Sequence, residues 1–343
     1  MDKRIILAVA GSGKTSHIID GLSREGQFLI LTYTENNYNH LQKKVIEKFG
    51  IIPENITVLT YFTFLYSFCY KPFLYDAYGA KGINWEVPPV FTLRLSRSNR
   101  KFYVDTNGRL YSNRIAKILE VEGVLELIKN RLEKYFDHLL IDEIQDFGGH
   151  DFNLLKQLCA ADVNMLLVGD FYQHTFDTSR DGKTNQTLHN DIEVYKKHFS
   201  DVGFVVDLST LSDSHRCTSE VCDFVTEYLG IKIGSNKCES SNVVFVEDPK
   251  EIARIFYDDN IIKLFYRNHS KYPCESQNWG KSKGLDNYQD VCVVLYKKAA
   301  KEYRNGKLHE LPPSSKNKLY VACTRANNDL YIIEEDSLMK VLQ

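Results

Sequence analysis

The first fifteen residues constrain this chain more than any other stretch. An apolar run, Arg4-Ile5-Ile6-Leu7-Ala8-Val9-Ala10, meets Gly11-Ser12-Gly13-Lys14-Thr15 and then a segment able to form a helix, Thr15 to Leu22. Strand, glycine-rich turn, Lys-Thr and helix in that order make a cradle for phosphate groups. The glycines let backbone N–H groups close around phosphate, Lys14 reaches the β- and γ-oxygens, and the Thr15 hydroxyl holds Mg²⁺. Gly11, Ser12, Gly13, Lys14, Thr15 and Ser16 are therefore the candidate nucleotide-binding residues. The first glycine of the general pattern is Ala8 here, and a chance Gly-Lys-Thr in a turn is the competing reading.

A phosphate loop needs a sheet behind it and acidic partners beside it. With 343 residues the chain is long enough for two or three domains and a substantial buried core. Its apolar fraction of 43% and charged fraction of 26% are those of an ordinary soluble protein. No apolar run reaches the roughly 18–20 residues of a membrane span, and the apolar start reads as a core strand, not a signal peptide. Eight scattered cysteines without a close CxxC pair point to a reduced, cytoplasmic protein. Cys217 and Cys222 beside His215 are too loosely spaced for a zinc site.

Strands then alternate with helices, as a parallel sheet covered on both faces requires. Gln27–Thr34 and Ile56–Thr60 read as strands, with a helix from Asn37 to Phe49 between them. Residues 72–130 break the rhythm with Pro72, Gly79, Gly82, Pro88, Pro89 and Gly108, and read as an insertion. A single helix, about Ile115 to Lys134, leads back to the sheet. The run Arg94 to Lys117 holds seven basic residues against one acid, and Lys263 to Lys318 holds twelve against five, although the net charge is −2. Either run is a nucleic-acid surface or a solvated face.

The sheet resumes with His138-Leu139-Leu140-Ile141-Asp142-Glu143. Asp142, at a strand's carboxyl end, is placed to support Mg²⁺, and Glu143 to polarise an attacking water. Met165-Leu166-Leu167-Val168-Gly169-Asp170 repeats the device, and Gln173 beyond it can sense a γ-phosphate through its amide. The second half has its own rhythm. A helix spans Ser219–Leu229 and a strand Val243–Val246. Ile255–Phe265 is a helix or a strand, and 267–282 is loop-like. A strand Val291–Leu295 follows, then a Lys- and Pro-rich loop to about Ser315, a helix Asn317–Arg325 and a strand Asp329–Ile333. Two domains, 1–210 and 211–343, account for the pattern.

In motif order these segments resemble the superfamily 1 helicases of the UvrD/PcrA/Rep type. The resemblance rests on AVAGSGKT (8–15), LTYTENN (31–37), TYFTF (60–64), IDEIQD (141–146), VGDFYQHTF (168–176), LSDSHRC (211–217), GKSKGLDNYQDVCVV (280–294) and LYVACTRANNDLYI (319–332). It implies two RecA-like α/β domains of the P-loop NTPase class, with an ATP site in the cleft between them. It implies that Gln173, Arg216 and Arg325 act at the γ-phosphate, and that His215, Gly284 and Asp286 line the nucleotide. Thr32, Tyr33, Thr60, Phe62 and Phe176 would face single-stranded DNA. Fixed cationic forks suit phosphoryl transfer, where charge must be neutralised as the bond breaks.

The departures shape the expected activity. The family's adenine-reading segment has no room ahead of the loop. His215 replaces the tyrosine that stacks on adenine, Thr178 and Ser179 replace an aromatic-arginine pair, Gly280 replaces a histidine, and Asp286 a glutamate. About 66 residues separate Arg216 from Lys283, where longer relatives carry a large insertion. The expectation is an ATP- and Mg²⁺-dependent motor on single-stranded DNA, stimulated by DNA and moving 3′ to 5′. A regulatory or sensor ATPase subunit for a nuclease partner, as in antiviral defence, is the alternative, and an NTPase indifferent to nucleic acid is a third.

Overall fold

The computed structural model describes residues 2–175 and 182–343. The chain divides into two compact units: Met1–Ile6, Thr15–Gly169 and Asp177–Asp207 form the first, and Leu7–Lys14, Asp170–Phe176 and Leu208–Gln343 the second. The division falls inside the glycine-rich loop, between Lys14 and Thr15.

The first unit is built on a six-stranded sheet. Its spatial order is Ile56–Thr60, Phe28–Thr32, His138–Asp142, Asn164–Gly169, Lys3–Leu7 and Val205–Asp207. Phe28–Thr32 pairs in parallel with both of its neighbours, and every residue in it is buried, as a strand covered on both faces must be. One strand, Asn164–Gly169, separates the phosphate-loop strand from the strand ending in Asp142. Both functional ends therefore open at the carboxyl edge of the same sheet, where parallel α/β sheets bind ligands. The helix Glu35–Phe49 begins at Thr34, whose side chain accepts from the Asn37 amide, and ends at Gly50 in the left-handed region.

The aromatic stretch after Thr60 is helical and includes a π-helical segment, Phe64–Tyr70. Residues 72–130 leave the sheet and form short helices and a two-stranded ribbon, Ile83–Asn84 with Leu110–Tyr111. The expected single helix over 115–134 is two, Ile115–Val121 and Leu125–Tyr135. Gly123, at φ 68°, turns the chain between them.

The second unit has a five-stranded sheet in the order Val243–Val246, Leu330–Glu334, Asp290–Leu295, Ile261–Phe265 and Ser276–Asn278, with parallel pairing throughout. Alternation divides its core. Ile262, Leu264, Val291 and Val293 pack on one face, and Ile261, Phe265, Cys292 and Val294 on the other.

Three sequence expectations change here. The segment 255–265 is the end of a helix, Pro249–Tyr257, followed by a strand, Ile261–Phe265; Asp258–Asn260 makes the turn. The stretch 267–282 contains the edge strand Ser276–Asn278, whose polar composition hid it. The Lys-rich stretch after Leu295 holds a helix, Lys297–Arg304, which buries only Ala299 and Ala300, too small an apolar signal to stand out among charges. Among the described residues no helix is long and apolar enough to cross a membrane.

Candidate nucleotide site and nucleic-acid face

Within the first unit the two halves of the expected metal site meet. Thr15 Oγ1 donates to Asp142 Oδ2 at 3.1 Å. Asp142 ends its strand almost fully buried, and its other carboxylate oxygen accepts the Glu143 amide at 3.0 Å. A hydroxyl and a carboxylate are the donor set by which Mg²⁺ is held alongside substrate phosphates, so these residues fit the ion the fold implies. Glu143 sits at φ 59° and ψ 46°, a conformation a non-glycine residue rarely adopts. That turn carries its side chain out of the strand line, and the buried Gln145 amide donates to its carboxylate. Gly169 lets this happen. A methyl at that position would lie 2.7 Å from Ile144 Cγ2 and 2.9 Å from the Ile144 amide nitrogen, and would overlap the Gln145 side chain.

Within the second unit, the loop Leu7–Lys14 packs on the segment that carries the first arginine. The Val9 amide donates to Leu211 O at 3.0 Å, and the His215 amide to Gly11 O at 2.9 Å. Gly11 (φ 70°) and Gly13 (φ 83°) take left-handed conformations, which glycine adopts without a steric penalty. A side chain at Gly11 would meet Arg216 Cβ at 2.7 Å and Ser214 Oγ at 2.8 Å. Ser12 is buried and donates to Val9 O at 2.9 Å, Ser16 is exposed on the helix Lys14–Asp20, and the exposed His215 lies near Gly13. Gln173 is buried in the short turn after Asp170.

Arg216 and Arg325 come together on Asp286. Arg216 Nη2 reaches Asp286 Oδ2 at 2.7 Å, and Arg325 Nη1 bonds to Oδ1. Arg325 is buried. Burial first, and the neighbouring Arg216 second, lower its pKa to about 10, while Asp286 opposes them. Both guanidiniums thus share one carboxylate, a geometry open to exchange for a phosphate oxygen pair. Gly284 is exposed at φ 82°, two residues before that carboxylate. The Cys217 thiol beside them is held below its ordinary range, chiefly by its interaction with Cys222, against burial. No group of three or more His, Cys, Asp or Glu able to hold a metal ion occurs among the described residues.

Two residues with no role legible in the sequence tie this half together. Tyr320, from LYVACTRA, accepts the Ala10 amide and donates to Asp170 Oδ2, each at 2.9 Å. Ser214 Oγ accepts the Arg216 and Cys217 amides at 3.2 and 3.0 Å. Tyr320 lies within LYVACTRANNDLYI (319–332), but a tyrosine on a buried helix face carries no sign that its hydroxyl bridges two distant segments.

The expected DNA-facing residues are more buried than their proposed role suggests. Thr32 is fully buried, and Thr60 is spent on capping, its hydroxyl accepting the Thr63 amide at 3.2 Å. Phe62 is 8% exposed, and Tyr33 half-buried. They form an aromatic cluster: Tyr33 meets Phe62 edge-on at 5.4 Å, and Phe62 meets Trp85 edge-on at 4.5 Å. Trp85, from the insertion, is the exposed member. Phe176 lies outside the described residues, as do Thr178 and Ser179.

Residues 111–178 match the model of the UvrD/REP helicase N-terminal domain. No curated protein sequence matches the chain. Among solved structures, the Arterivirus nonstructural protein 10 helicase in complex with DNA is similar at a TM-score of 0.51 and 16% identity, over 99% of this chain and 63% of that one. A crystal structure of Arterivirus nonstructural protein 10 helicase gives a TM-score of 0.51 and 15% identity, over 98% of this chain and 61% of that one. The chain therefore spans less than two thirds of the length of these helicases, and at such identity the likeness is one of fold. Residues 111–178 are thus similar to the N-terminal domain of the UvrD/REP helicases, and the chain as a whole is similar in fold to the Arterivirus helicase.

Proposed function

We propose that this chain is an ATP-driven motor on single-stranded DNA, with hydrolysis stimulated by the strand and movement 3′ to 5′. The observation that supports it most is the Thr15–Asp142 contact at 3.1 Å, where a phosphate-loop hydroxyl meets the acid of IDEIQD. In this reading the loop amides and Lys14 bind the triphosphate. Thr15 and Asp142 would hold Mg²⁺, which neutralises phosphate charge when bound. Glu143, held by Gln145, accepts the proton of the water that attacks the γ-phosphorus as the bond to the β–γ bridging oxygen breaks. Gln173 senses the γ-phosphate. Arg216 and Arg325 exchange the Asp286 carboxylate for γ-phosphate oxygens and stabilise charge in the transition state. His215, Gly284 and Asp286 complete the nucleotide contacts, and Tyr33 and Phe62 belong to the DNA-facing surface. The DNA bound in the Arterivirus helicase structure, together with the basic run at 94–117, supports a nucleic-acid track.

The test is the ATPase rate with and without single-stranded DNA. Stimulation by the strand is expected, with loss of turnover in Lys14→Ala and in Glu143→Gln, the latter still binding ATP. Turnover retained by Lys14→Ala would overturn the site assignment. An ATPase unmoved by DNA that copurifies with a nuclease would favour the regulatory-subunit reading.

A further inference from the structure

The insertion displays apolar side chains and cations together. Trp85, Val87, Val90, Phe91 and Leu93 are 64, 88, 75, 60 and 62% exposed. Five large apolar groups within nine residues exceed what a solvated surface usually shows, and mark a binding surface. From Val87 to Val104 there is no acid, while Arg94, Arg97, Arg100 and Lys101 are all exposed.

The segment is held in place from beneath. Buried Asn84 donates to Asp105 Oδ2 at 2.8 Å and accepts the Glu86 amide at 2.9 Å. Buried Arg114 donates to Phe102 O at 2.6 Å and to the Thr92 hydroxyl at 3.0 Å, with its guanidinium 3.8 Å from the Phe102 ring centroid. The Thr92 hydroxyl in turn donates to Pro89 O at 2.7 Å. Anchored at Asn84 and Thr92, the exposed side chains between them are displayed from a fixed base. Trp85 is also fixed, its ring standing at 79° to Phe62.

A partner that suits this surface carries flat apolar faces and regularly spaced negative charge. Single-stranded DNA has both, because unpaired bases expose their faces beside every phosphate. A duplex hides those faces in its stack. We propose that Trp85 and Phe91 form a base-stacking platform for single-stranded DNA, with the neighbouring cations meeting its phosphates. This rests on the reading of the chain as a single-strand motor, and adds a contact that the motif residues do not supply.

The chain contains two tryptophans, and Trp279 is fully buried with its indole N–H bonded to Leu264 O at 2.9 Å. Of the two tryptophans, Trp85 is thus the solvent-facing one. Oligothymidylate added to the full chain is expected to quench tryptophan emission, and Trp85→Phe to remove most of the quenching. Trp85→Ala is expected to weaken binding of a labelled oligothymidylate by about 5- to 150-fold, the range for loss of one base–aromatic stack, with Trp85→Phe restoring most of the affinity. Phe91→Ala should weaken it in the same direction, and a blunt duplex should compete poorly. Wild-type affinity in both alanine variants, or equal binding of the duplex, would overturn the platform while leaving the motor reading intact. A wild-type chain that neither binds oligothymidylate nor hydrolyses ATP faster in its presence would overturn the motor reading, and the platform with it.

Discussion

Replacing Tyr320 by Phe tests whether one hydroxyl ties the phosphate loop to the rest of its unit. Tyr320, Ala10 and Asp170 are all fully buried. The hydroxyl accepts the Ala10 amide and donates to Asp170 at equal distances of 2.9 Å. Burial, with Asp170 beside it, holds the phenol well above its ordinary range, so it remains a donor at any working pH. Phenylalanine keeps the ring and its edge-on packing with Tyr172 at 5.9 Å, so the loss is confined to the oxygen. An orphaned buried amide costs about 1–3 kcal/mol, and a lost hydrogen bond to a charged group about 1.5–3. Asp170 keeps the Tyr172 amide at 3.1 Å, which limits its share. The two costs overlap, and about 2–4 kcal/mol is the expected total, a large part of a typical stability of about 5–15. At about 2–4 °C per kcal/mol, thermal unfolding should begin at least about 4 °C lower. Nucleotide affinity should fall too, since Ala10 lies in the loop proposed to bind it. Tyr266→Phe is the control: its hydroxyl meets Ser315 Oγ at 3.1 Å in a half-buried setting, and its loss should cost no more than about 1 kcal/mol. If Tyr320→Phe unfolds with Tyr266→Phe and binds nucleotide like the parent, the bridging hydroxyl does not hold the loop.

Gly169→Ala should destabilise the first unit by about 1–3 kcal/mol, as overpacking does, and should slow hydrolysis by displacing Gln145 from Glu143. Gly148→Ala, where a methyl meets nothing within 4 Å and φ is −136°, should leave both unchanged; chemical denaturation and ATPase rates on the pair decide it. Asp286→Asn should lower the thermal midpoint without nucleotide, because two arginines lose their shared anion, one of them buried. The cost should be about 1–2 kcal/mol, since the carboxylate is half exposed and screened. Added triphosphate should then raise the midpoint by more than in the parent, because phosphate no longer displaces a carboxylate. An equal or smaller rise in calorimetry would show that Asp286 does not compete for the arginines.

The sequence showed the chemistry more clearly than the means of holding it. Strand, glycines, Lys14 and Thr15 form one contiguous stretch, and Asp142-Glu143 closes a strand. Both are local patterns, and they meet as the parallel sheet requires. The helix Lys297–Arg304 escaped notice because two alanines are its whole buried face. Ser276–Asn278 escaped because an edge strand needs backbone partners, not apolar side chains. Tyr320 and Asp286 are different cases. Their roles depend on groups brought close by folding: Ala10 lies 310 residues from Tyr320, and Arg325 lies 39 from Asp286. Local periodicity carries no trace of such pairings. The same holds for Trp85, whose sequence neighbours mark only a turn-rich insertion, while its contact with Phe62 makes it the outer ring of an aromatic cluster. The burial of Thr32 and Phe62 has the same origin: a motif specifies which side chains gather at one edge of the sheet, but packing decides which of them reaches solvent. Among the described rings of this cluster, the exposed one, Trp85, comes from outside the motifs.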